Sequence, residues 1–171
     1  MHFSEIPVRL RKLDYDGVAG ASSHYQSQSE SLKAEKAFGG NNKVKFCWAN
    51  SGNDFPAFIW FQWRKSQPPI VKVGFSNRKH SDAFKQSPKE FSIIGSDDCK
   101  NWDTMLHVSE AGFSKSGEFK AWEIPTEQHK SYGCVGLKVF STESAFVGIT
   151  NVVMWTGQKD WPWKINGVSI L

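Results

Sequence analysis

The sequence predicts an all-β fold, an antiparallel β-sandwich or jelly-roll barrel, and three observations carry that prediction. Eight Trp and thirteen Phe help bring aromatic residues to 14% of a 171-residue chain, a load that suits broad, ring-filled sheets better than a helix bundle. Short segments rich in β-branched and aromatic residues recur along the chain, bounded by Pro, Asn, Gly or Ser. Helical periodicity is scarce: only Ser29 to Ala37 could make about two turns.

The predicted strands run in order as Ala57 to Trp63 (AFIWFQW), Ile70 to Phe75 (IVKVGF), Glu90 to Gly95 (EFSIIG), Thr104 to Val108 (TMLHV), Glu118 to Ile124 (EFKAWEI), Gly133 to Phe140 (GCVGLKVF) and Val147 to Trp155 (VGITNVVMW). Turn-forming residues separate them, and strands this dense fit two packed sheets. Between the third and fourth, Ser96, Asp97 and Asp98 can accept or donate to nearby backbone groups of a hairpin, with Trp102 as a buried anchor. Trp60, Trp63, Trp102, Trp122 and Trp155 are expected in the core. The chain reads as one domain over residues 1–171, its core at about 18–157. The segment 158–171 follows as an aromatic tail in which Trp161 and Trp163, at a spacing of two, cover the barrel.

A chain of this length buries roughly 70% of its unfolded surface and needs no disulfide or metal to fold. The net charge of +4, from 21 basic and 17 acidic residues scattered along the chain, does not indicate nucleic acid. Cys47, Cys99 and Cys134 stand far apart with no CxxC pair, so no zinc site is indicated and at most one bridge can form. Whether Cys47 and Cys134 meet across the barrel is open at this level. No apolar leader, membrane-length run or Asn-x-Ser/Thr sequon occurs, so the sequence as it stands reads as cytoplasmic. A signal peptide removed ahead of Met1 would make it extracellular.

Four phrases in order resemble the discoidin family, also called the coagulation factor V/VIII type C domain, whose fold is a galactose-binding-like jelly roll. ASSHYQ at Ala21 to Gln26 resembles the family's opening strand, and KAFGGNN at Lys36 to Asn42 with CWAN at Cys47 to Asn50 resembles its Ala-Phe-Asp-Gly and Trp pattern. PAFIWFQW at Pro56 to Trp63 stands at the place of the proline-led strand, and FSIIGSDDCKNWDTML, Phe91 to Leu106, resembles its hairpin most closely. AWEIP at Ala121 to Pro125 and the strand ending at Phe140 extend the likeness over about Val18 to Gly157. The family's terminal cysteine pair is missing, and its Arg-Tyr-x-Arg phrase is replaced by Gly133, Cys134, Val135 and Gly136. The chain resembles a divergent member.

That resemblance places ligands at the loop end of the barrel. Asn77-Arg78 is similar to the Asn-Arg step of fucose- and galactose-binding relatives, and Arg78 is the preferred residue. A guanidinium presents donors in one plane, which suits vicinal hydroxyls or an anion, with Lys79 and His80 adding positive charge. An exposed basic turn paired with Asp82 is the plainer account. His24, Tyr25 and Asn50 line the opposite side. In Ala49 to Phe55, Asn50, Asn53 and Asp54 can bond hydroxyls and Phe55 can stack on a sugar, against the plainer account of an Asx-turn. The polar loop Gln26 to Leu32 and the segment Asn41 to Phe46, with Lys43 and Lys45, complete the set. Calcium-binding members carry two acidic residues where Gly39 or Gly40 and Asn151 stand here, so the resemblance implies at most a weak calcium site near Gly39, Asn41 and Asn151. No cofactor is expected.

His2, His24, His80, His107 and His129 form no HExxH or paired nucleophile and base motif, and GxSxG and P-loop phrases are absent. The expected function is therefore noncatalytic carbohydrate binding, weak per site and strengthened by self-association or a partner array. A cytosolic protein-interaction domain, using the same loops or the Trp161 to Trp163 tail, is the alternative; it is consistent with unpaired cysteines. Anionic phospholipid binding comes third, with membrane insertion disfavoured by polar loop tips.

Overall fold

The computed structural model describes residues 9–26, 31–39, 47–79 and 83–158, with the backbone of 164–165 and 168–169. The strands are β1 (Arg9–Lys12), β2 (Gly17–Ala21), β3 (Tyr25–Gln26), β4 (Ser31–Leu32), β5 (Trp48–Ala49), β6 (Ala57–Trp63), β7 (Ile70–Asn77), β8 (Glu90–Ser96), β9 (Asp103–Val108), β10 (Phe119–Glu123), β11 (Cys134–Ser141), β12 (Gly148–Gln158), β13 (Lys164–Ile165) and β14 (Val168–Ser169). One sheet runs β1-β12-β7-β10 with β5 also on β12, and the other runs β2-β6-β11-β8-β9; every pair is antiparallel. The seven predicted strands are all present. The expected helix is not: Ser31 and Leu32 are strand, and only Ala34–Lys36 makes a 3-10 turn.

Alternation along the strands sends one set of side chains between the sheets. Phe75, Phe91, Ile59, Ile93, Leu137, Ile149 and Met154 are sealed there with Trp48. Tyr15 enters between Phe38 and Phe61, with ring centroids at 5.2 and 4.9 Å. Its hydroxyl donates to the Val152 carbonyl, and burial raises its pKa well above the ordinary phenol value. The two enclosed indoles find carbonyl acceptors, Trp48 on Ser23 at 2.9 Å and Trp63 on Asp14 at 2.8 Å, as buried N–H groups require.

Three of the tryptophans expected inside lie on outward faces instead. Trp60 and Trp102 are half-buried with centroids 5.7 Å apart, and Trp155 is half-buried on the other sheet. The cause is register: Trp60 sits opposite Gly20 and Gly136 on the solvent side of β6, while Ile59, Phe61 and Trp63 take the inner side. Trp63 and Trp122 pack as expected.

At one end of the sandwich the β8–β9 turn is closed by Asp98, whose carboxylate accepts the Lys100 and Asn101 N–H groups, the Asn101 amide and the Ser96 hydroxyl. These donors, the Asn101 N–H foremost, hold its carboxyl well below the usual range. Cys99 in this turn is bonded to Cys134 at the start of β11, with Cα atoms 5.6 Å apart. The bridge thus does not join Cys47 to Cys134. Cys47 is buried beside Leu32 and Ala49.

Candidate functional site

The register places five connections at the opposite end. Asn77 closes β7 beside Ile149, Gly148 opens β12 beside Ala49, Glu90 opens β8 beside Ser141, and Phe91 pairs with Val108 near the end of β9. Segments 22–24, 50–56, 78–79 with 83–89, 109–118 and 142–147 therefore form one rim, as expected for the loop end of such a sandwich. His80 and Asn41, with residues 41–46 and Trp161 and Trp163, lie outside the described residues, as does most of the loop after Gln26.

Several expected site residues are built into the rim itself. Asn50 is 0% exposed; its amide oxygen accepts the Val147 N–H at 2.9 Å and its amide nitrogen donates to Asp54 at 2.5 Å. Asp54 also accepts from the Ser23 and Ser51 hydroxyls, and half-buried Phe55 packs against the core. Tyr25 is exposed and meets Phe146 edge-on at 5.5 Å, while the His24 ring nitrogen lies 3.0 Å from the Gln26 amide. This side of the rim is a braced turn with His24 and Tyr25 on its surface.

Asn77 is also fully buried. Its amide nitrogen donates to Ser87 Oγ at 3.0 Å and to the Lys115 carbonyl at 2.8 Å, tying the 83–89 and 109–118 segments together. Arg78 is half-buried, with Nε enclosed and lacking a hydrogen-bond partner, and its Cβ lies near Gly148 and Gln86. Lys79 is exposed along Gly117.

Between these segments lies a hollow of about 310 Å³ bordered by Phe84, Lys89, Glu110, Phe113 and Glu143, with Ser87, Pro88 and Gly112. The sequence reading did not select these residues, which come from three separate connections. Lys89 and Ser141 are joined by a backbone bond of 2.8 Å and Ala111 and Lys89 by one of 2.9 Å, which fixes the hollow's walls. Phe113 is held by Phe75 at 5.5 Å and by Lys120 Nζ at 5.6 Å over its ring. The hollow thus offers ring surface, carboxylate acceptors and an ammonium donor, the mixture that a polyhydroxyl ligand needs.

Around Asn151, which takes a left-handed bulge at φ 49, the Ala37 carbonyl accepts the Val152 N–H and the Val152 carbonyl accepts the Tyr15 hydroxyl. Among the described residues no three His, Cys, Asp or Glu side chains gather as a metal site. Asn41, the third residue of the weak calcium site that the resemblance implies, lies outside the described residues.

Among the described residues the nearest approach to a catalytic chain is on an outer sheet face, where Ser92 Oγ lies 2.7 Å from His107 Nδ1 and His107 Nε2 lies 3.0 Å from Glu90. Ser92 is 2% exposed in a central strand paired on both sides, so a substrate has no access to its hydroxyl.

No family model and no curated protein matches the sequence. Among solved structures, the chain is similar to a family 32 carbohydrate-binding module of Clostridium perfringens in complex with GalNAc-β-1,3-galactose, at 17% identity and TM-score 0.68, covering 81% of this chain and 94% of that one. It is similar to the family 32 module of the same organism's NanJ in complex with galactose, at 13% identity and TM-score 0.66, over 86% and 100% of the two chains. A chitosan-binding module from a chitosanase/glucanase of Paenibacillus sp. IK-5 matches at 17% identity and TM-score 0.66, over 85% and 99%. The chain has the galactose-binding-like, discoidin-type β-sandwich fold.

Proposed function

We propose that the protein is a noncatalytic carbohydrate-binding module that takes a sugar at its rim. The observation that carries this reading is the 310 Å³ hollow of Phe84, Phe113, Lys89, Glu110 and Glu143. Glu110 and Glu143 accept from hydroxyls, Lys89 donates, and the rings cover the apolar face of a sugar. Arg78 stands on the same rim, with its Cβ near Gly148. The fold it shares with modules whose structures contain galactose or GalNAc-β-1,3-galactose supports this reading. The buried Ser92 hydroxyl supports the noncatalytic half of it.

The Cys99–Cys134 bridge takes up two of the three cysteines, which weakens the unpaired-cysteine premise of the cytosolic alternative. A glycan array probed with wild type, Arg78→Ala and the double variant Glu110→Gln with Glu143→Gln tests the proposal. Wild type binds a subset of glycans, and the double variant binds them about tenfold more weakly, the loss of one or two hydrogen bonds to charged groups. Folded wild-type protein with no glycan signal ends this reading.

A further inference from the structure

The outward side of the first sheet forms a surface separate from the rim hollow. On β7, Lys72, Gly74 and Ser76 point away from the core residues Val73 and Phe75. Their partners are Glu123, Ala121 and Phe119 on β10, and Trp155, Val153 and Thr150 on β12. Phe119 is 42% exposed and meets half-buried Trp155 edge-on at 6.3 Å. Phe119 lies over Gly74, where a Cβ would come within 2.5 Å of its ring. Lys72 Nζ stands 5.3 Å from the Trp155 ring centroid, and Lys12 pairs with Trp155 from β1.

At the rim end of this face, Ser76, Thr150, Lys79, Ser116 and Gly117 line a second hollow of about 200 Å³ together with Asn77. Asn77 is 0% exposed, and its Oδ1 and the enclosed Ser116 Oγ have no hydrogen-bond partner. The Lys115 carbonyl, accepting from Nδ2, fixes the orientation of the amide. Oδ1 is therefore a buried acceptor that lacks a donor, a costly arrangement unless a ligand or water supplies one. Ser76, Thr150 and Ser116 bring hydroxyl groups to this hollow, where a sugar hydroxyl can both donate and accept.

From Ser76 to Lys72 the face runs about 13 Å, too long for one small sugar. Among its described residues Lys12, Lys72 and Lys79 outnumber Glu123, which favours negative charge on the ligand. We infer that this face binds an extended acidic polysaccharide, a uronic-acid chain. One sugar's hydroxyls enter the hollow at Ser76 and Ser116, a sugar face lies on Phe119, and a carboxylate meets Lys72. The inference takes its ligand class from the carbohydrate reading, but uses residues outside the rim hollow.

Calorimetric titration of the full chain with a short mannuronate oligosaccharide and with a neutral galacto-oligosaccharide separates the two sites. Phe119→Ala weakens mannuronate binding about tenfold through lost apolar contact. Lys72→Gln weakens it about threefold at low salt and less at high salt. The rim double variant Glu110→Gln with Glu143→Gln does not weaken it, whereas neutral-sugar binding falls in the rim variant and is unchanged in the two face variants. Melting curves that match wild type confirm that both face variants fold. Absence of mannuronate binding by wild type, or wild-type affinity in both face variants, overturns the inference and leaves the rim reading to its own variant. Pelleting with phosphatidylserine vesicles that depends on Lys72, without oligosaccharide binding, overturns it in favour of a lipid surface.

Discussion

Asn50 and Val147, 97 positions apart, are joined by a buried 2.9 Å bond from the Val147 N–H to the Asn50 side-chain oxygen. The Asn50 N–H donates back to the Val147 carbonyl at 3.3 Å. One amide thereby locks two rim segments, and its other end holds Asp54.

Asn50→Ala is expected to destabilise the protein by about 2 kcal/mol, because it leaves a buried N–H without a partner. For a chain of this size that is a fall of roughly 2–4 °C in melting temperature per kcal/mol. Urea denaturation followed by tryptophan fluorescence measures it. A midpoint equal to wild type would show that the lock contributes nothing.

Gly136 and Gly39 should respond oppositely to alanine. A Cβ at Gly136 would run into the Ile59 carbonyl oxygen and the Trp60 Cα of the paired strand, whereas at Gly39 it meets nothing within 4 Å. Gly136→Ala is expected to cost about 3 kcal/mol or more by forcing β6 and β11 apart, and Gly39→Ala to stay within ~0.5 kcal/mol. Comparable losses for the two would refute the close approach of β11 to β6.

The Cys99–Cys134 bridge spans 35 residues, for which the chain-entropy account gives about 4 kcal/mol of stabilisation. Reductant or a Cys99→Ser, Cys134→Ser double variant should lower the urea midpoint accordingly. Sugar affinity at native temperature should hold, since the bridge lies at the end away from the rim. Affinity that falls while stability does not would contradict this separation.

The fold was legible because seven strands carry their own β-branched and aromatic pattern, and the FSIIGSDDCKNWDTML hairpin has its turn chemistry spelled out in Ser96 and Asp98. The inward and outward sides of β6 were not legible. Phe58, Ile59, Trp60 and Phe61 are apolar in succession, which erases the period of two, and only pairing with Gly20 and Gly136 puts Trp60 outside. The rim residues were read in part. Asn77 looks like any exposed loop amide in sequence, yet strand register buries it under Lys115 and Ser87. Glu110, Phe113 and Glu143 belong to connections far apart in sequence, so no local motif announces their hollow. The cysteine pairing depends likewise on the Cys134 to Ser96 register, which brings the β8–β9 turn to Cys134.

Tyr132 predicts the behaviour at high pH. It is 6% exposed over Gly95, and its hydroxyl donates to Asp103 at 3.0 Å. Burial first, then the bond to Asp103 and the charges of Asp103 and Asp97, push its pKa up to about 12. The folded value lies above the unfolded one, so the associated stability is fully present below about pH 10 and is lost as pH rises towards 12. Unfolding free energy measured by urea titration should therefore decline over that window in wild type. Tyr132→Phe should flatten the decline while lowering stability at neutral pH by about 1 kcal/mol, the worth of the lost hydrogen bond. An equally steep alkaline decline in Tyr132→Phe would mean that another group controls it.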